Sequence, residues 1–479
     1  MLARYCGGLL FLCAASASAE PQWFAVLIDG DKAGHAQMRR DIADGRTIDT
    51  TRVEIELQGA DRANRLVLEQ RFESGVDGAP LAYAFALRTH DVTRGKTATV
   101  DGGAIALDID EQGIVRRERV ALPSGVTWPL AEAALLHDAI AQPGRTLALT
   151  GFDTNDDAAV PVELRIGERR AIDVGGVGVV ATQVVRTTRK GDKVSTTTSW
   201  LDDGLRPLRV EMRVAGVALD LVAATRDVAL APNRSVDFIK RLFVRSPYRI
   251  PPSAQSQRIR YVLAHTDGAF DVPSTGEQRV RANGDTVSID ICATCGDEPR
   301  IDVAPTETRA PNARIESDAR EFADAVRTVG AVADPRRHML ALEDYARRHL
   351  VGINGFLGAG SALATARSGQ GDCVAYALYL AALGRAAGIP TRVAGGMVYS
   401  QRYAGRGDVF VPHAWTQALI GGRWVSFDAA TAGFDATHVA LVVGQGDRAA
   451  FAAAMGRLAK LQIRSIAQVA QRASSVLSD

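Results

Sequence analysis

A chain of 479 residues is long enough to form about two to four domains. Hydrophobic residues make up 47% and charged residues 23% of the chain, which is typical of a soluble globular protein with a sizeable core. The formal net charge of +1 gives no reason to expect nucleic acid or an acidic membrane surface as a partner.

The N-terminus has the pattern of a secretory signal peptide, predicted to cover residues 1–19. Arg4 precedes an apolar run at 7–15, and the small residues at 17–19 form an A-x-A cleavage site. The run is too short for a permanent membrane span, and no later segment approaches 18 uninterrupted apolar residues, so we expect an exported chain without stable membrane insertion. Lipid attachment at Cys13 is an alternative that the bulky residues before it disfavour.

Residues 20–240 are predicted to form a β-rich domain of unknown role. Their apolar and polar residues alternate between Gly and Asp turns, which is the pattern of half-buried strands. The segment 127–144, which ends in Pro-Gly, is the one helical interruption. A large antiparallel sheet with a helix packed on it is the simplest interpretation.

Two linkers rich in Pro and Ser or Thr divide the remaining chain, at 245–257 and 303–315. Between them, residues 258–302 are predicted to form a small β module. Residues 313–479 first have helical patterns and then short strands. The apolar residues of 447–474 recur at helical spacing, which predicts a C-terminal amphipathic helix.

Three cysteines remain after the signal peptide is removed. Cys292 and Cys295 are predicted to form a local disulfide, because the exported chain enters an oxidising compartment. Half of a zinc site is the alternative, although no second pair of ligands accompanies it, and a redox-active pair is a further one. Cys373 is then the odd thiol, to be explained as a core residue, half of a disulfide or a nucleophile.

Cys373 is predicted to lie in the first turn of a helix. Asp372 is a good N-cap residue, and 373–387 are strong helix formers that end before Gly388-Ile389-Pro390. The unpaired N–H groups and the dipole at a helix start favour the thiolate, so we expect an activated sulfur there.

A base and an orienting carboxylate follow in a predicted hairpin. Gly421-Gly422 suit a two-residue primed turn. In that register Asp428 is opposite Trp415, and His413 projects from the same face as Asp428, roughly 7–8 Å away at the backbone. A three-residue loop would instead put His413 and Asp428 on opposite faces.

The stretch "GDCVAYALYLAALGRAAGIPTRVAGGMVY" followed by "PHAWTQALIGGRWVSFDAA" resembles the transglutaminase-like superfamily of papain-type thiol enzymes over about residues 315–450. The resemblance implies a papain-like core of helices and antiparallel sheet, and with the alternating patterns before it the predicted fold is α+β, the core being preceded by largely antiparallel β domains. It implies Cys373 as nucleophile, His413 as base and Asp428 as orienting carboxylate. Many relatives have Asp-Pro-Thr where this chain has "DAAT", which leaves the aspartate intact.

The same resemblance suggests less specific assignments. The Cys373 N–H is expected to donate to the oxyanion, while Gln370 and Trp415 are expected beside the oxyanion or substrate. His438 and His349 are interpreted as structural residues. Each residue alone has an ordinary structural interpretation, but together, in this order, they predict a thiol site.

The predicted function is therefore an exported thiol enzyme without a cofactor that acts on peptide or glutamine-type amide bonds of a peptide or protein. The thioester would pass to water or to an amine, with hydrolysis slightly favoured. No metal and no nucleic acid is expected, and the family and composition indicate the periplasm. The alternative is a non-catalytic envelope binding or scaffold protein with a vestigial transglutaminase-like domain.

Overall fold

The computed structural model describes residues 20–469 apart from short gaps, so the predicted signal peptide and Cys295 lie outside the described residues. The chain divides between residues 238 and 239 into two compact units. The gaps are 59–62, 90–92, 112–113, 155–156, 192, 215–216, 234–241, 294–299, 302 and 353–359.

In the described part of the first unit, fourteen antiparallel strands form one sheet in which β1 pairs with β14 and the order continues to β8 on one side and β9 on the other. The strands are β1 (Gln22–Ile28), β2 (Asp31–Ala43), β3 (Arg46–Gln58), β4 (Ala63–Gly75), β5 (Pro80–Arg88), β6 (Thr93–Asp101), β7 (Ala104–Glu111), β8 (Ile114–Ala121), β9 (Thr146–Asp153), β10 (Ala158–Val174), β11 (Val177–Lys190), β12 (Lys193–Leu201), β13 (Pro207–Val214) and β14 (Val217–Ala224).

The sheet buries one face because its strands alternate apolar and polar residues. In β10, Val160, Val162 and Leu164 are buried while Pro161 and Glu163 between them are exposed. This is the period-2 pattern of a strand with one face against a core. The predicted antiparallel β region is confirmed.

The predicted helix is α1 (Pro129–Ala139), and a short helix, α2 (Arg226–Leu230), follows β14. Proline suits the first turn of α1 because its missing N–H would have no intrahelical acceptor there. The buried side of α1 packs on apolar residues of the sheet and the following turn, namely Ile166, Val184, Leu201 and Leu205.

In the described part of the second unit, a five-stranded sheet and its helices form the larger core. The sheet order is β15-β22-β21-β24, with β23 paired to β22. The strands are β15 (Val244–Arg245), β21 (Thr391–Tyr403), β22 (Arg406–Ile420), β23 (Arg423–Phe427) and β24 (Val439–Gly444), and a two-residue bridge joins β19 (Val351–Gly352) to β20 (Gln370–Gly371).

Helix α7 (Cys373–Ala386) is the centre of this core. It is apolar on all sides and buried from Val374 to Arg385, as expected for a helix enclosed by other elements rather than lying on a surface. It packs against α4 (Arg320–Val329), α5 (Pro335–His349), α6 (Ala362–Ser368) and strands β21 and β22, and the unit also contains α3 (Pro252–Gln255) and α8 (Arg448–Leu458). The predicted core of helices and antiparallel sheet is confirmed.

A second sheet in this unit has the order β17-β18-β16-β25. Its strands are β16 (Arg258–His265), β17 (Gln278–Asn283), β18 (Thr286–Cys292) and β25 (Leu461–Gln468). The predicted C-terminal helix is thus wrong beyond Leu458, because the alternation of β25 lets it pair antiparallel with β16.

The predicted module at 258–302 does not stand apart from the thiol core. The Gln278 side chain donates to the Ala440 carbonyl and accepts from the Ala440 N–H, both at 2.9 Å, which joins the second sheet to β24. A Cβ at Gly276 would lie 1.7 Å from the Trp424 carbonyl oxygen, so only glycine permits the loop before β17 to approach the hairpin this closely. The module is therefore part of one unit with the core.

No helix among the described residues is long and apolar enough to cross a membrane.

Candidate active site

Cys373 is the first residue of α7, as predicted, and it is half-buried. The Asp372 carboxylate accepts a hydrogen bond from the Ala375 N–H at 3.0 Å, which caps the helix. A Cβ at Gly371 would lie 2.5 Å from the Ala375 Cβ, so glycine lets the chain enter the helix at this angle. Local sequence thus accounts for the position of the sulfur.

The predicted two-residue turn joins β22 to β23. Gly421 and Gly422 have φ angles of 57° and 77°, in the left-handed region that glycine adopts without strain. Ile420 pairs with Arg423, which is the register expected from this turn. The predicted pairing is confirmed.

This register brings His413 to Asp428. Asp428 follows the last residue of β23, and its Oδ2 lies 2.7 Å from His413 Nε2. Both side chains are buried. Because the carboxylate occupies Nε2, Nδ1 is the ring nitrogen of His413 that can exchange a proton with a nucleophile.

The sulfur of Cys373 lies beside this pair. The backbone N–H groups of Ala414 and Val374 donate to it, and Ala414 is the residue next to His413 on β22. The structure therefore brings together the three residues, Cys373, His413 and Asp428, that the sequence predicts for catalysis. These are the residue types that thiol enzymes use as nucleophile, base and orienting group.

The Asp428 carboxylate has a full set of donors. Its Oδ2 accepts from His413 Nε2 at 2.7 Å, His438 Nε2 at 3.1 Å and the Thr431 hydroxyl at 2.5 Å, and its Oδ1 accepts from the Ala430 N–H at 2.9 Å. Burial raises the pKa of Asp428, but the two imidazoles outweigh it and hold the pKa well below its usual range. Asp428 is a carboxylate at any pH at which the fold is expected to function.

His438 is a site residue that the sequence reasoning missed. It is buried in the turn before β24, with Nε2 on Asp428 and Nδ1 3.1 Å from Asp435 Oδ1. The signal that could have identified it is its place ten residues after the catalytic carboxylate, in a segment that already resembled the superfamily. His349, by contrast, is exposed, and its Nδ1 lies 2.9 Å from the Tyr345 carbonyl oxygen.

The expected bias of Cys373 towards the thiolate is wrong for this arrangement. Burial and the carboxylates of Asp372 and Asp428 raise the pKa of the Cys373 thiol well above its usual value, although the N–H groups of Ala414 and Val374 act in the opposite direction. The resting sulfur is therefore a thiol, and its proton has to leave as it attacks.

Trp415 is not placed to contact a substrate. It is 1% exposed, and its indole Nε1 donates to the Ser426 hydroxyl at 3.2 Å. Its ring stacks beside His413, with centroids 6.3 Å apart, and meets His438 edge-on at 5.2 Å. Trp415 was expected beside the oxyanion, but its ring instead packs against the imidazoles of His413 and His438 and restricts their orientation.

Gln370 is exposed at the bridge to β19, where it pairs with Val351 through the backbone. No hydrogen bond described for it reaches Cys373, so its expected part in the oxyanion site stays a prediction. The backbone N–H of Cys373 is one of the four at a helix start that lack an intrahelical acceptor, which suits the donor role expected of it.

A second buried carboxylate supports Asp428 from behind. Glu343 on α5 accepts the Asp428 N–H at 2.7 Å, and Arg347 donates to the Asp428 carbonyl oxygen at 3.4 Å. Burial raises the pKa of Glu343. Helix α5 therefore fixes the backbone at the end of β23.

Cys292 at the end of β18 is buried and disulfide-bonded, while its predicted partner Cys295 lies outside the described residues. Cys373 is a free thiol.

His413, Asp428 and His438 offer ligand atoms within 4.8 Å of one another, so a divalent metal has to be considered. The chemistry of the donors fits hydrogen bonding better. Both Nε2 atoms already point at one carboxylate oxygen, and a metal bound there would displace a proton from each Nε2 and leave Cys373 without a base.

A cysteine at the start of a buried helix, next to a histidine and an aspartate from a hairpin of an antiparallel sheet, is the arrangement found in the papain-type fold class. Residues 323–429, which include Cys373, His413 and Asp428, match the sequence profile of the transglutaminase-like superfamily. The second unit of this chain therefore contains a transglutaminase-like domain.

No curated protein sequence matches the chain. Among solved structures, a candidate cysteine protease from Cytophaga hutchinsonii is similar at 18% identity and a TM-score of 0.31, over 47% of this chain and 90% of that one. A β-barrel-like protein of a domain of unknown function from Brucella abortus is similar at 10% identity and a TM-score of 0.34, over 43% and 94%. A candidate protease from Parabacteroides distasonis has 9% identity and a TM-score of 0.19, over 73% and 69%. These superpositions are too loose to bear on function.

Proposed function

We propose that the second unit is a thiol enzyme that attacks peptide or glutamine-type amide bonds and forms a thioester on Cys373. The observation that carries the proposal is the 2.7 Å hydrogen bond between His413 Nε2 and Asp428 Oδ2, with the sulfur held beside His413 by the neighbouring Ala414 N–H.

The reaction begins with a proton transfer from the Cys373 thiol to His413 Nδ1. As the S–C bond forms, the carbonyl oxygen takes the electron pair of the C=O bond, and backbone N–H groups at the start of α7 stabilise the negative charge. Collapse of this intermediate breaks the C–N bond. His413 then gives its proton to the departing amine, which leaves a thioester.

The thioester is released by a second attack, in which His413 again acts as the base. Attack by water gives a carboxylic acid, and attack by a primary amine gives a new amide; in both cases the C–S bond breaks and the proton returns to sulfur. Water is the default acceptor in a site that does not exclude it, so hydrolysis is the favoured outcome.

We further propose that the enzyme is exported and acts on peptides or proteins in the periplasm. The signal-peptide pattern of residues 1–19 supports export, and the amide chemistry of the site supports a polypeptide substrate.

The test incubates the exported form of the chain, from residue 20, with casein and a fluorescent primary amine. Wild type is compared with Cys373→Ala and His413→Gln, and His349→Gln serves as a matched control because it removes an exposed histidine of the same unit. Labelling of intact casein that needs Cys373 would indicate acyl transfer, whereas fragmentation without labelling would indicate a protease.

If wild type and Cys373→Ala behave alike, alkylation by iodoacetamide decides between a wrong acyl donor and a non-catalytic protein. A thiol assisted by His413 reacts at a rate that depends on that residue. A rate that is the same in wild type and His413→Gln would overturn the proposed thiol enzyme.

A further inference from the structure

One oxygen of Asp428 is shared by two imidazoles that come from different segments. His413 reaches Oδ2 from β22 at 2.7 Å, and His438 reaches the same atom from the turn before β24 at 3.1 Å. A base and an orienting carboxylate already satisfy thiol catalysis, so the second imidazole needs its own explanation.

His438 lies between two carboxylates. Its Nδ1 is 3.1 Å from Asp435 Oδ1 and 3.2 Å from the Asp435 carbonyl oxygen, while the Asp435 N–H is more distant at 3.3 Å. The shortest contact of each ring nitrogen is to a carboxylate oxygen, which only accepts hydrogen bonds when ionised, and a ring that donates to both carboxylates is an imidazolium. Burial lowers the pKa of His438, but the two carboxylates raise it to about 9.

We propose that His438 is a positioning residue of the thiol site: a buried imidazolium that clamps Asp428 Oδ2 against His413 and balances the Asp428 charge. This proposal rests on the proposed function. Its consequence is that His413 Nε2 stays directed at Asp428, so that Nδ1 is the ring nitrogen left to accept the proton of Cys373.

The charge balance explains why a neutral hydrogen-bond donor would not serve equally well. A buried carboxylate favours the protonated form of an imidazole that is its only partner. A protonated His413 could not act as a base for a sulfur that rests as a thiol. The charge on His438 removes this conflict.

Charged and titratable groups approach His438 from each element described around it. They are Asp428 after β23, Asp435 in the same turn, His413 on β22, and Tyr261 on β16, whose hydroxyl donates to the Ala436 carbonyl oxygen at 2.8 Å. The pKa of Asp435 is held below its usual value despite its burial, mainly by His438. Two anions therefore face one cation, which favours the charged form of His438.

The first test observes the proton directly. The intact chain is labelled with ¹⁵N-histidine, its His438 signals are assigned with the His438→Gln variant, and the ring nitrogens are followed by NMR from pH 5 to pH 10. We expect both nitrogens of His438 to be protonated at neutral pH and to lose a proton near pH 9. A bare Nδ1 at pH 7 would overturn the proposal.

The second test asks whether the charge serves the reaction, using iodoacetamide alkylation of Cys373 against pH. It needs no substrate, so it does not depend on knowing the amide that is cleaved. Loss of the cation in His438→Gln leaves the charge of Asp428 unbalanced and should move the acid midpoint of alkylation up by about one pH unit. A purely structural role would lower the rate at every pH and leave the midpoint in place.

Asp435→Asn is the second variant, in case His438→Gln does not fold. It keeps His438 and the three catalytic residues but removes one anion from the imidazolium, so His438 should lose its proton at lower pH and the alkylation midpoint should move in the same direction by less. If His413→Gln changes alkylation while both of these profiles overlay wild type, the positioning role fails and the thiol enzyme stands. If His413→Gln has no effect, the proposed function itself fails.

Discussion

The Glu277 carboxylate binds both polar groups of Ser426: it accepts the backbone N–H at 2.6 Å and the hydroxyl at 2.9 Å. The Ser426 hydroxyl in turn accepts from Trp415 Nε1 at 3.2 Å, and the Trp415 ring stacks beside His413. Glu277, in the loop before β17, therefore supports the Trp415 ring that packs beside His413.

Glu277→Ala should destabilise the second unit by about 2–4 kcal/mol, because it leaves the buried polar groups of Ser426 without their acceptor. Glu277→Gln keeps one acceptor oxygen and should cost less. Urea unfolding followed by tryptophan fluorescence measures both, and Arg348→Ala, on the exposed face of α5, should leave the midpoint unchanged. Equal stability of wild type and Glu277→Ala would contradict this role.

Gly396→Ala should disrupt the pairing of β21 with β24. A Cβ at residue 396 would lie 2.0 Å from the Val439 carbonyl oxygen, so the strands would have to separate beside His438. We expect a loss of about 1–3 kcal/mol or more in the free energy of unfolding. Gly444→Ala is the matched control on β24, since a Cβ there meets nothing within 4 Å. The prediction is contradicted if both variants unfold at the same denaturant concentration.

His438 should make the fold less stable at alkaline pH. Its pKa in the folded chain is raised to about 9 from 6.5, so its contribution is fully present below pH 6.5 and is lost as the pH rises through 9. The loss should be about 3 kcal/mol, from the difference between the two pKa values. The measurement is the free energy of unfolding of wild type minus that of His438→Gln at pH 6 and pH 9.5. A difference that stays constant between these pH values would show that His438 is not charged in the folded chain.

In the first unit, Glu132→Ala should be strongly destabilising. Glu132 on α1 is fully buried and bonds Arg186 on β11, with Oε1 3.2 Å from Nε, so its removal leaves a buried guanidinium without its carboxylate. Breaking a buried pair from one side costs about 3–5 kcal/mol. The double replacement Glu132→Leu with Arg186→Leu should recover much of the loss, as measured by thermal unfolding. A single variant as stable as wild type would contradict the prediction.

Much of the site could be predicted because its signals are local. Asp372 caps a run of helix formers, and this places Cys373 at a helix start whatever packs around it. Gly421-Gly422 adopt the positive φ angles of a two-residue turn, which determines the register of β22 and β23 and hence the shared face of His413 and Asp428. The alternation of β10 likewise predicts a half-buried strand in the first unit.

The sequence could not predict what depends on distant segments. The spacing of apolar residues in 461–468 predicts a continuing helix, but these residues form a strand that pairs with β16. The hydrogen bonds and packing gained at the sheet edge outweigh the local helix propensity. Glu277 and Ser426 are 149 residues apart, and neither one indicates the other. The thiol of Cys373 and the imidazolium of His438 depend on burial and on which carboxylates lie nearby, and folding creates both conditions at once. Local sequence thus determined the positions of Cys373, His413 and Asp428 in their elements, whereas the charges around them follow from the tertiary packing that removes water and brings Asp372, Asp428 and Asp435 close.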